Sequence, residues 1–433
     1  MSTVPDSDND SRLSDETQRL RRAVRELTIL NEIAVAISST MQLEQLTRVM
    51  VEQCVKWLGV QQGTIHLFSS AGSDVGHTLV RVIGPTQDIL PMRLGRQLTY
   101  WMQAHRKPLV SNDLAQDERF DRTEAKDLPI KSLLSVPLES KGRLTGVLSL
   151  FNKVDGVITE DDVRLAAIIA TQCAQVIENA RLRDEVAIYE EDMKSAAKIQ
   201  QALLPRNAPF IPEVDIAGLS KPAREVGGDY FDYIDLGEGR WGIAVGDVSG
   251  KGMPAALLMS SLQATLRGCA RIATSVADCV QNSNVLLSAS TDARSFITLF
   301  YAVLDVKSHT LTYCNAGHNP PMIIRGDGTL RTLEVGGPIV AAFDQSTYQQ
   351  EVVDFMPGSR LLMYTDGITE ATNPGDEQYG EARLEQLVRS SARVTSRLLI
   401  ERIIDDVLTF QKDASAADDM TLVCLSMRAV TSN

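Results

Sequence analysis

The sequence predicts an α/β multidomain protein: a mixed α/β domain, a long connecting helix, and a second α/β domain of sheets covered by helices. Three observations carry this. The chain has 433 residues, and at roughly 150 residues per domain that length predicts two or three domains. Two strand-rich stretches are separated by a helical pattern over 159–204 that no glycine or proline interrupts. After Pro205, short apolar runs rich in β-branched and aromatic residues alternate with pairs of helical segments, the pattern of sheets with helices on their outer faces.

Taken in order, residues 1–12 are polar and read as a disordered tail. A helix is expected over 13–40. Leu13, Leu20, Leu27 and Ala34 lie seven apart, with Thr17, Val24 and Asn31 between them, the spacing of a coiled-coil seam. Residues 41–180 form the first domain. "LEQLTRVMVEQCVKWLG" (43–59) is an amphipathic helix closed by glycine. "GTIHLF" (63–68) and "HTLVRVIG" (77–84) read as strands. "SLLSVPLES" and "RLTGVLSLFNK" read as a hairpin turning at Lys141-Gly142. The closing helix starts at Thr159, which caps a first turn made acidic by Glu160, Asp161 and Asp162. It continues through a linker at 181–205, where Leu182, Val186, Tyr189, Met193, Ala196, Gln200 and Leu203 alternate four and three apart. That spacing predicts a dimer seam; the alternative is one amphipathic helix lying on its own domain. Residues 206–430 form the second domain, with strands expected at "EVDIAGLS", "YFDYIDL", "RWGIAVGDV", "FITLFYAVLDV", "TLTYCNAG", "PMIIRG", "RLLMYTDG" and "MTLVCLSM".

Composition narrows the function. A net charge of −13 argues against binding nucleic acid or an anionic membrane through bulk charge. No apolar run approaches the ~20 residues of a membrane helix. The first ten residues, "MSTVPDSDND", do not read as a signal peptide. Six scattered cysteines, without a CxxC pair, fit a reducing cytoplasm with neither disulfides nor structural zinc. No G-x-S-x-G elbow, Walker A loop or H-E-x-x-H helix is present; "GDVSGKGMP" lacks the phosphate-loop spacing.

What the second domain does have is carboxylates at strand ends. Asp247 closes "WGIAVG", Asp366 closes "RLLMYT", Asp418 and Asp419 precede "MTLVCLSM", and Asp229 precedes "YFDYI". Gly228, Gly246 and Gly367 flank three of these stations and permit close backbone approach. Acidic groups gathered without basic partners repel one another unless cations neutralise them. Hard divalent ions suit all-oxygen sites and, in pairs, activate water for phosphoryl transfer. Taken singly, an Asp-Gly reads as a solvated turn; only the four stations together suggest a site.

Here the motifs become specific. "AAKIQQALLP" (196–205), "KPAREVGGDYFDYI" (221–234), "GDVSGKGMPAALLMS" (246–260), "FITLFYAVLD" (296–305), "CNAGHNPPMII" (314–324), "LLMYTDGITEA" (361–371) and "DDMTLVCL" (418–425) occur in this order. In them the second domain resembles the SpoIIE/RsbU-type serine/threonine phosphatases, a branch of the metal-dependent type-2C (PPM) class. The resemblance implies an α-β-β-α sandwich with two Mn²⁺ or Mg²⁺ ions at one edge. By motif, Asp247 bridges both ions and the Val248 carbonyl supports one, while Asp366 and Asp418 ligate the first. Asp229 ligates a metal or holds its water, and Asp419 shares the ligand role or stands behind it. Gly228, Gly367, Asn315 and His318 are candidates for the surrounding shell, His318 as a general acid or as a residue fixing the turn. Arg224 is a candidate phosphate contact or a plain surface arginine. Hydrolysis by metal-activated water, without a covalent phosphoenzyme, is implied.

The first domain resembles GAF sensor domains through "GVLSLFNKVDGVITEDDVRLAAIIATQCAQVIENARL". Cyclic-nucleotide-binding members carry an NK…F-x3-D-E pattern. Asn152, Lys153 and Asp162 match it, but Ile158 and Val163 replace the aromatic and the glutamate, so another small ligand, or none, is expected. Together the resemblances imply a cytoplasmic, homodimeric signalling phosphatase acting on a phosphorylated STAS-type anti-anti-sigma protein in partner switching. A non-catalytic scaffold that uses the phosphatase fold to bind partners is the alternative, and a small phosphoester is a third possible substrate.

Overall fold

The computed structural model describes residues 43–68, 78–79, 92–120, 130–291, 294–391, 393–412 and 418–428, with Thr17, Leu20, Val24, Leu27 and Thr28. The expected tail at 1–12 and most of the strand at 77–84 lie outside them, as do Leu13, Asn31 and Ala34 of the first seam. Thr17, Leu20, Val24 and Leu27 are helical and exposed. Two compact units divide the chain, Met1–Tyr189 and Glu190–Asn433.

In the first unit, helix α1 (Leu43–Leu58) buries Thr47, Met50, Val51, Cys54 and Leu58, one stripe at helical spacing. Strands β1 (Val60–Leu67), β2 (Thr78–Leu79), β3 (Leu109–Ser111), β4 (Leu133–Ser140) and β5 (Arg143–Lys153) form one antiparallel sheet in the order β2-β1-β5-β4-β3. The β4–β5 turn falls at Lys141-Gly142, both with positive φ, the backbone of a type I′ hairpin. Helix α2 (Met92–His105) had no counterpart in the sequence reading. Helix α3 (Glu160–Leu203) runs 44 residues without a break, as the missing glycine and proline predicted. Thr159 and Asp162 cap it reciprocally: Oγ1 of Thr159 accepts from the Asp162 N–H, and Oδ2 of Asp162 accepts from the Thr159 N–H. Leu182, Val186 and Tyr189 are about half to two-thirds exposed, an apolar stripe open to solvent.

The second unit is four layers deep. One sheet contains β7 (Tyr230–Asp235), β8 (Arg240–Val248), β9 (Ile297–Asp305), β10 (Thr310–Ala316) and β13 (Gly336–Gly337), in reverse chain order, with β14 (Glu351–Asp354) also paired to β10. The other has the order β12-β11-β15-β16-β6, from β6 (Val214–Lys221), β11 (Met322–Ile324), β12 (Leu330–Thr332), β15 (Arg360–Tyr364) and β16 (Met420–Met427). The period-two alternation of the strands sorts their side chains. Ile243, Val245, Phe300, Leu361, Met363, Val423 and Leu425 pack between the sheets. Ala244, Val248, Leu299 and Tyr301 face α4 (Met253–Ile272) and α5 (Val276–Ser288) on one outer face. Leu362, Tyr364, Leu422 and Cys424 pack with α7 (Glu381–Ser390) and α8 (Ser396–Gln411) on the other. A one-turn helix, α6 (Asp366–Thr369), follows β15. Helix, sheet, sheet, helix is the architecture the motifs implied. Among the described residues no helix is long and apolar enough to cross a membrane.

Candidate metal centre

The sandwich brings the expected carboxylates to one edge. Asp229 directly precedes β7 and Asp247 is the penultimate residue of β8; these strands pair with Tyr230 opposite Gly246, so the two aspartates are neighbours. On the facing sheet β15 and β16 pair with Tyr364 opposite Leu422, which sets Asp366 and Asp418 side by side just beyond the strand ends. Asp366 heads the short helix α6 instead of ending the strand. One hydrogen bond ties the sheets: Thr365 Oγ1 donates to Asp229 Oδ2 at 2.8 Å, and the same hydroxyl accepts from the Thr421 N–H at 2.9 Å.

The glycines earn their places by approach, not by flexibility. A Cβ on Gly367 would stand 1.9 Å from the Asp419 carbonyl oxygen, and one on Gly227 2.5 Å from Asp419 Oδ2. Any side chain at either position would push α6 or the loop before β7 away from the Asp418-Asp419 turn.

The electrostatics are those of crowded like charges. Burial, then the neighbouring Asp247, pushes the Asp229 carboxyl well above the usual range. Burial, followed by Asp366, Asp418 and Asp419, pushes Asp247 up to about 7. Asp366 is raised by burial, then by Asp418 and the nearby Glu370, and is lowered in part by Lys251. A cation inserted among them would favour the charged carboxylates and so oppose these upward shifts. Lys251 partly does so, its Nζ lying 2.9 Å from Asp418 Oδ2 on a half-exposed rim. Among the described residues no three acidic, histidine or cysteine side chains are gathered tightly enough to hold one metal ion by themselves. The donors present fit Mg²⁺ or Mn²⁺, which take one or two carboxylates each and keep several waters. They do not fit zinc, which favours thiolate and imidazole.

Each remaining candidate has a distinct position. Asp419 uses both oxygens on main chain: Oδ1 accepts from the Ala223 N–H and Oδ2 from the Gly228 N–H, each at 2.7 Å. It is a strut holding the loop before β7, the position of a residue standing behind the ligands, one of the two roles its motif leaves open. Val248 ends β8, and its carbonyl oxygen lies 2.9 Å from where a Gly228 Cβ would be, so Gly228 leaves that oxygen uncovered. Asn315 and His318 fasten a turn: the Asn315 carboxamide accepts from the His318 N–H at 2.8 Å and donates to the carbonyls of His318 and Leu333. His318 is buried, bonded through Nδ1 to Thr298 Oγ1 at 2.9 Å, and burial lowers its ring to about 4. A buried neutral ring speaks for the turn and against a general acid. Arg224 is exposed.

Three participants escaped the sequence reading. Lys251 lies in "GDVSGKGMP", which lacks the phosphate-loop spacing; its signal is a lone cation four residues after Asp247. Thr365 had no signal beyond its place beside Asp366. Gln200 had been placed in the coiled-coil seam, but it is buried and clasps Gly227. Its Nε2 donates to the Gly227 carbonyl at 2.6 Å, and its Oε1 accepts from the Gly227 N–H at 3.1 Å.

In the first unit, the residues matching the nucleotide pattern are spent on internal bonds. Lys153 Nζ donates to the Leu58 carbonyl and to Asp162 Oδ1, and Asn152, at φ 58°, accepts from the Lys131 N–H.

Comparison with known proteins agrees with this geometry. The Stage II sporulation protein E (SpoIIE) family matches residues 237–428, and the GAF domain family matches 40–178. RsbU of Bacillus subtilis, a phosphoserine phosphatase, is 28% identical over 322 residues, 73% of this chain and 92% of its own length. Protein IcfG of Synechocystis is 29% identical over 262 residues, 54% of this chain; the chain spans only 41% of IcfG. The SiaA PP2C domain of Pseudomonas aeruginosa superposes with a TM-score of 0.51 at 20% identity, over 56% of this chain and 98% of that domain, a likeness of fold. The chain therefore joins an N-terminal GAF domain to a C-terminal domain of the SpoIIE family, the latter with the fold of a PP2C phosphatase domain.

Proposed function

We propose that this protein is a metal-dependent phosphatase that removes phosphate from phosphoserine or phosphothreonine of a regulatory protein, under control of its GAF domain. The observation that carries the reading is the convergence of Asp229, Asp247, Asp366 and Asp418 at one sandwich edge, where burial and mutual repulsion raise the first three. Asp247, Asp366, Asp418 and the Val248 carbonyl are the residues to hold two Mn²⁺ or Mg²⁺ ions. When bound, such ions supply a water of lowered pKa and positive charge for the phosphoryl oxygens. Asp229, held through Oδ2 by Thr365, would hold a metal or its water beside Asp247. Asp419 and Gln200 fix the loop that carries it.

The substrate we propose is a phosphorylated STAS-type anti-anti-sigma protein, in keeping with the relation to RsbU; its dephosphorylation would switch partners in a cytoplasmic signalling pathway. Working bounds are 41–180 for the GAF domain, 181–205 for the linker helix and 206–430 for the phosphatase domain. The solvent-open stripes at Leu20, Val24 and Leu27 and at Leu182, Val186 and Tyr189 support a homodimer through these helices. In this reading the GAF domain, with or without a small ligand, acts on the site through the linker helix.

The test is Mn²⁺-dependent release of phosphate from a phospho-STAS protein, compared with para-nitrophenyl phosphate. Asp247→Asn and Asp366→Asn should each abolish it. Activity that survives both substitutions would overturn the metal mechanism, and a folded wild type inert on every phosphoprotein would favour the scaffold.

A further inference from the structure

The strands that deliver Asp366 and Asp418 have their other ends at a second concave site. β15 starts at Arg360 and β16 finishes at Met427, and around these ends lies a cleft of about 840 Å³. Five arginines line it, Arg325, Arg360, Arg389, Arg393 and Arg428, against one acid, Asp215. In a chain with a net charge of −13, this is a local reversal of sign.

The arginines are little neutralised. Asp215 is already engaged, its Oδ2 accepting from the Ser396 N–H at 2.6 Å. Arg360 is buried and bonds only neutral oxygens, those of Ser426 Oγ and of the Ser391 and Val394 carbonyls. Arg389 divides itself between Glu385 and the Gly328 carbonyl. Arg325 is near Asp327, whose carboxyl is held low first by Thr329 and also by this arginine. Arg393 and Arg428 are exposed and form no ion pair among the described residues. Helix α8 also begins here, with Thr395 as its cap, adding the positive end of a helix dipole. Between the guanidinium groups the lining is apolar: Ile324, Val388, Val394 and Met427.

We infer that this cleft binds a small anion bearing two or more phosphate charges on a flat or apolar body, the class of a nucleoside polyphosphate. Guanidinium forks match phosphate oxygens two at a time and stack on flat rings, which a lysine patch would not do. The volume lies within the ~300–1,000 Å³ of small-molecule sites. The overall negative charge repels acidic macromolecules at long range, while a small anion feels mainly the local arginines. This inference is independent of the proposed phosphatase reaction, because the cleft lies at the far end of the strands from the aspartates.

The experiment is calorimetric titration of the full-length chain, carrying Asp247→Asn and kept in chelator so that the aspartate edge takes no part. The probes are ATP, GTP, inorganic pyrophosphate, adenosine and a poly-glutamate peptide. ATP or GTP should bind, pyrophosphate more weakly, and adenosine not at all. Arg393→Glu with Arg428→Glu should weaken ATP binding at least tenfold and leave para-nitrophenyl phosphate turnover unchanged in the otherwise wild-type chain. If that pair fails to fold, Arg393→Ala and Arg325→Ala singly should each weaken binding several-fold with an unchanged circular dichroism spectrum. The inference is overturned if no phosphate probe binds at millimolar concentration, if the arginine variants bind ATP like their parent, or if poly-glutamate binds and nucleotides do not.

Discussion

Replacing Gln200 by alanine should loosen metal binding without touching a carboxylate. Gln200 is 8% exposed and makes two hydrogen bonds to the Gly227 peptide, one from each end of its amide. Each contributes a net ~0.5–1.5 kcal/mol, so their joint loss is ~1–3 kcal/mol. Gly227 is followed by Gly228, which Asp419 holds, and then by Asp229. If the loss falls on the placement of this loop, the competent fraction drops by about tenfold per ~1.4 kcal/mol, and apparent metal affinity drops with it. The half-saturating Mn²⁺ concentration should therefore rise on the order of tenfold, while the rate at saturating Mn²⁺ recovers to within about twofold. The assay is phosphate release against Mn²⁺, with Gln201→Ala as control because Gln201 is exposed on the same turn. An unchanged Mn²⁺ midpoint in the Gln200 variant would refute the reasoning. So would a loss of rate that no concentration of Mn²⁺ repairs, since that would place Gln200 in the chemistry instead of in loop placement.

Three other outcomes follow from the same geometry. Lys251→Met removes a half-exposed partner of Asp418, worth at most ~1 kcal/mol; the Mn²⁺ midpoint should fall two- to fivefold, and a large loss of rate at saturating metal would show that Lys251 contacts substrate. Arg267→Ala leaves Asp232, which is wholly buried, without the half-exposed guanidinium that bonds both its oxygens; chemical denaturation should show a loss of ~2–4 kcal/mol, and a loss under ~1 kcal/mol would show that the pair does not hold β7 to α4. His318 has a folded pKa of about 4 against an ordinary 6.5, so its contribution is fully present above pH 6.5 and is lost as pH falls toward 4. The difference in unfolding free energy between wild type and His318→Gln should shrink by roughly 3 kcal/mol between pH 7 and pH 4, and a constant difference would show that the ring is not held neutral.

The layers were legible because alternation along a strand and the 3.6-residue repeat are properties of burial, and burial in this domain is two-sided. "RLLMY" and "MTLVCLSM" read as apolar runs because alternate residues meet the other sheet and the helices. The uninterrupted helix was legible through what it lacks. Helix α2 was missed although "MRLGRQLTYWMQAH" is amphipathic, with Leu94, Leu98 and Met102 buried four apart; Gly95 inside it is a residue that disfavours a helix.

The division of labour among the aspartates was hidden for a physical reason. A carboxylate that binds a cation and one that binds peptide N–H groups are the same residue type, often at the same kind of strand end, and both want glycine nearby. Only the partners separate them. Asp418 has Lys251 on one oxygen and its successor's N–H on the other, both at the rim. Asp419, one residue on, turns inward and spends itself on Ala223 and Gly228. Asp232, in the same "VGGDYFDY" stretch as Asp229, belongs to neither group: it is a buried counter-ion for Arg267 and an acceptor for the Tyr230 hydroxyl. Asp229 stands just before β7 and Asp232 is its third residue, three positions on, so the alternation of the extended chain turns them to opposite sides. One meets the edge where the sheets converge, and the other meets α4. The glycines before Asp229 mark which is which, because the Asp419 side chain packs so closely on that end of the strand that a Cβ on Gly227 would stand 2.5 Å from its Oδ2.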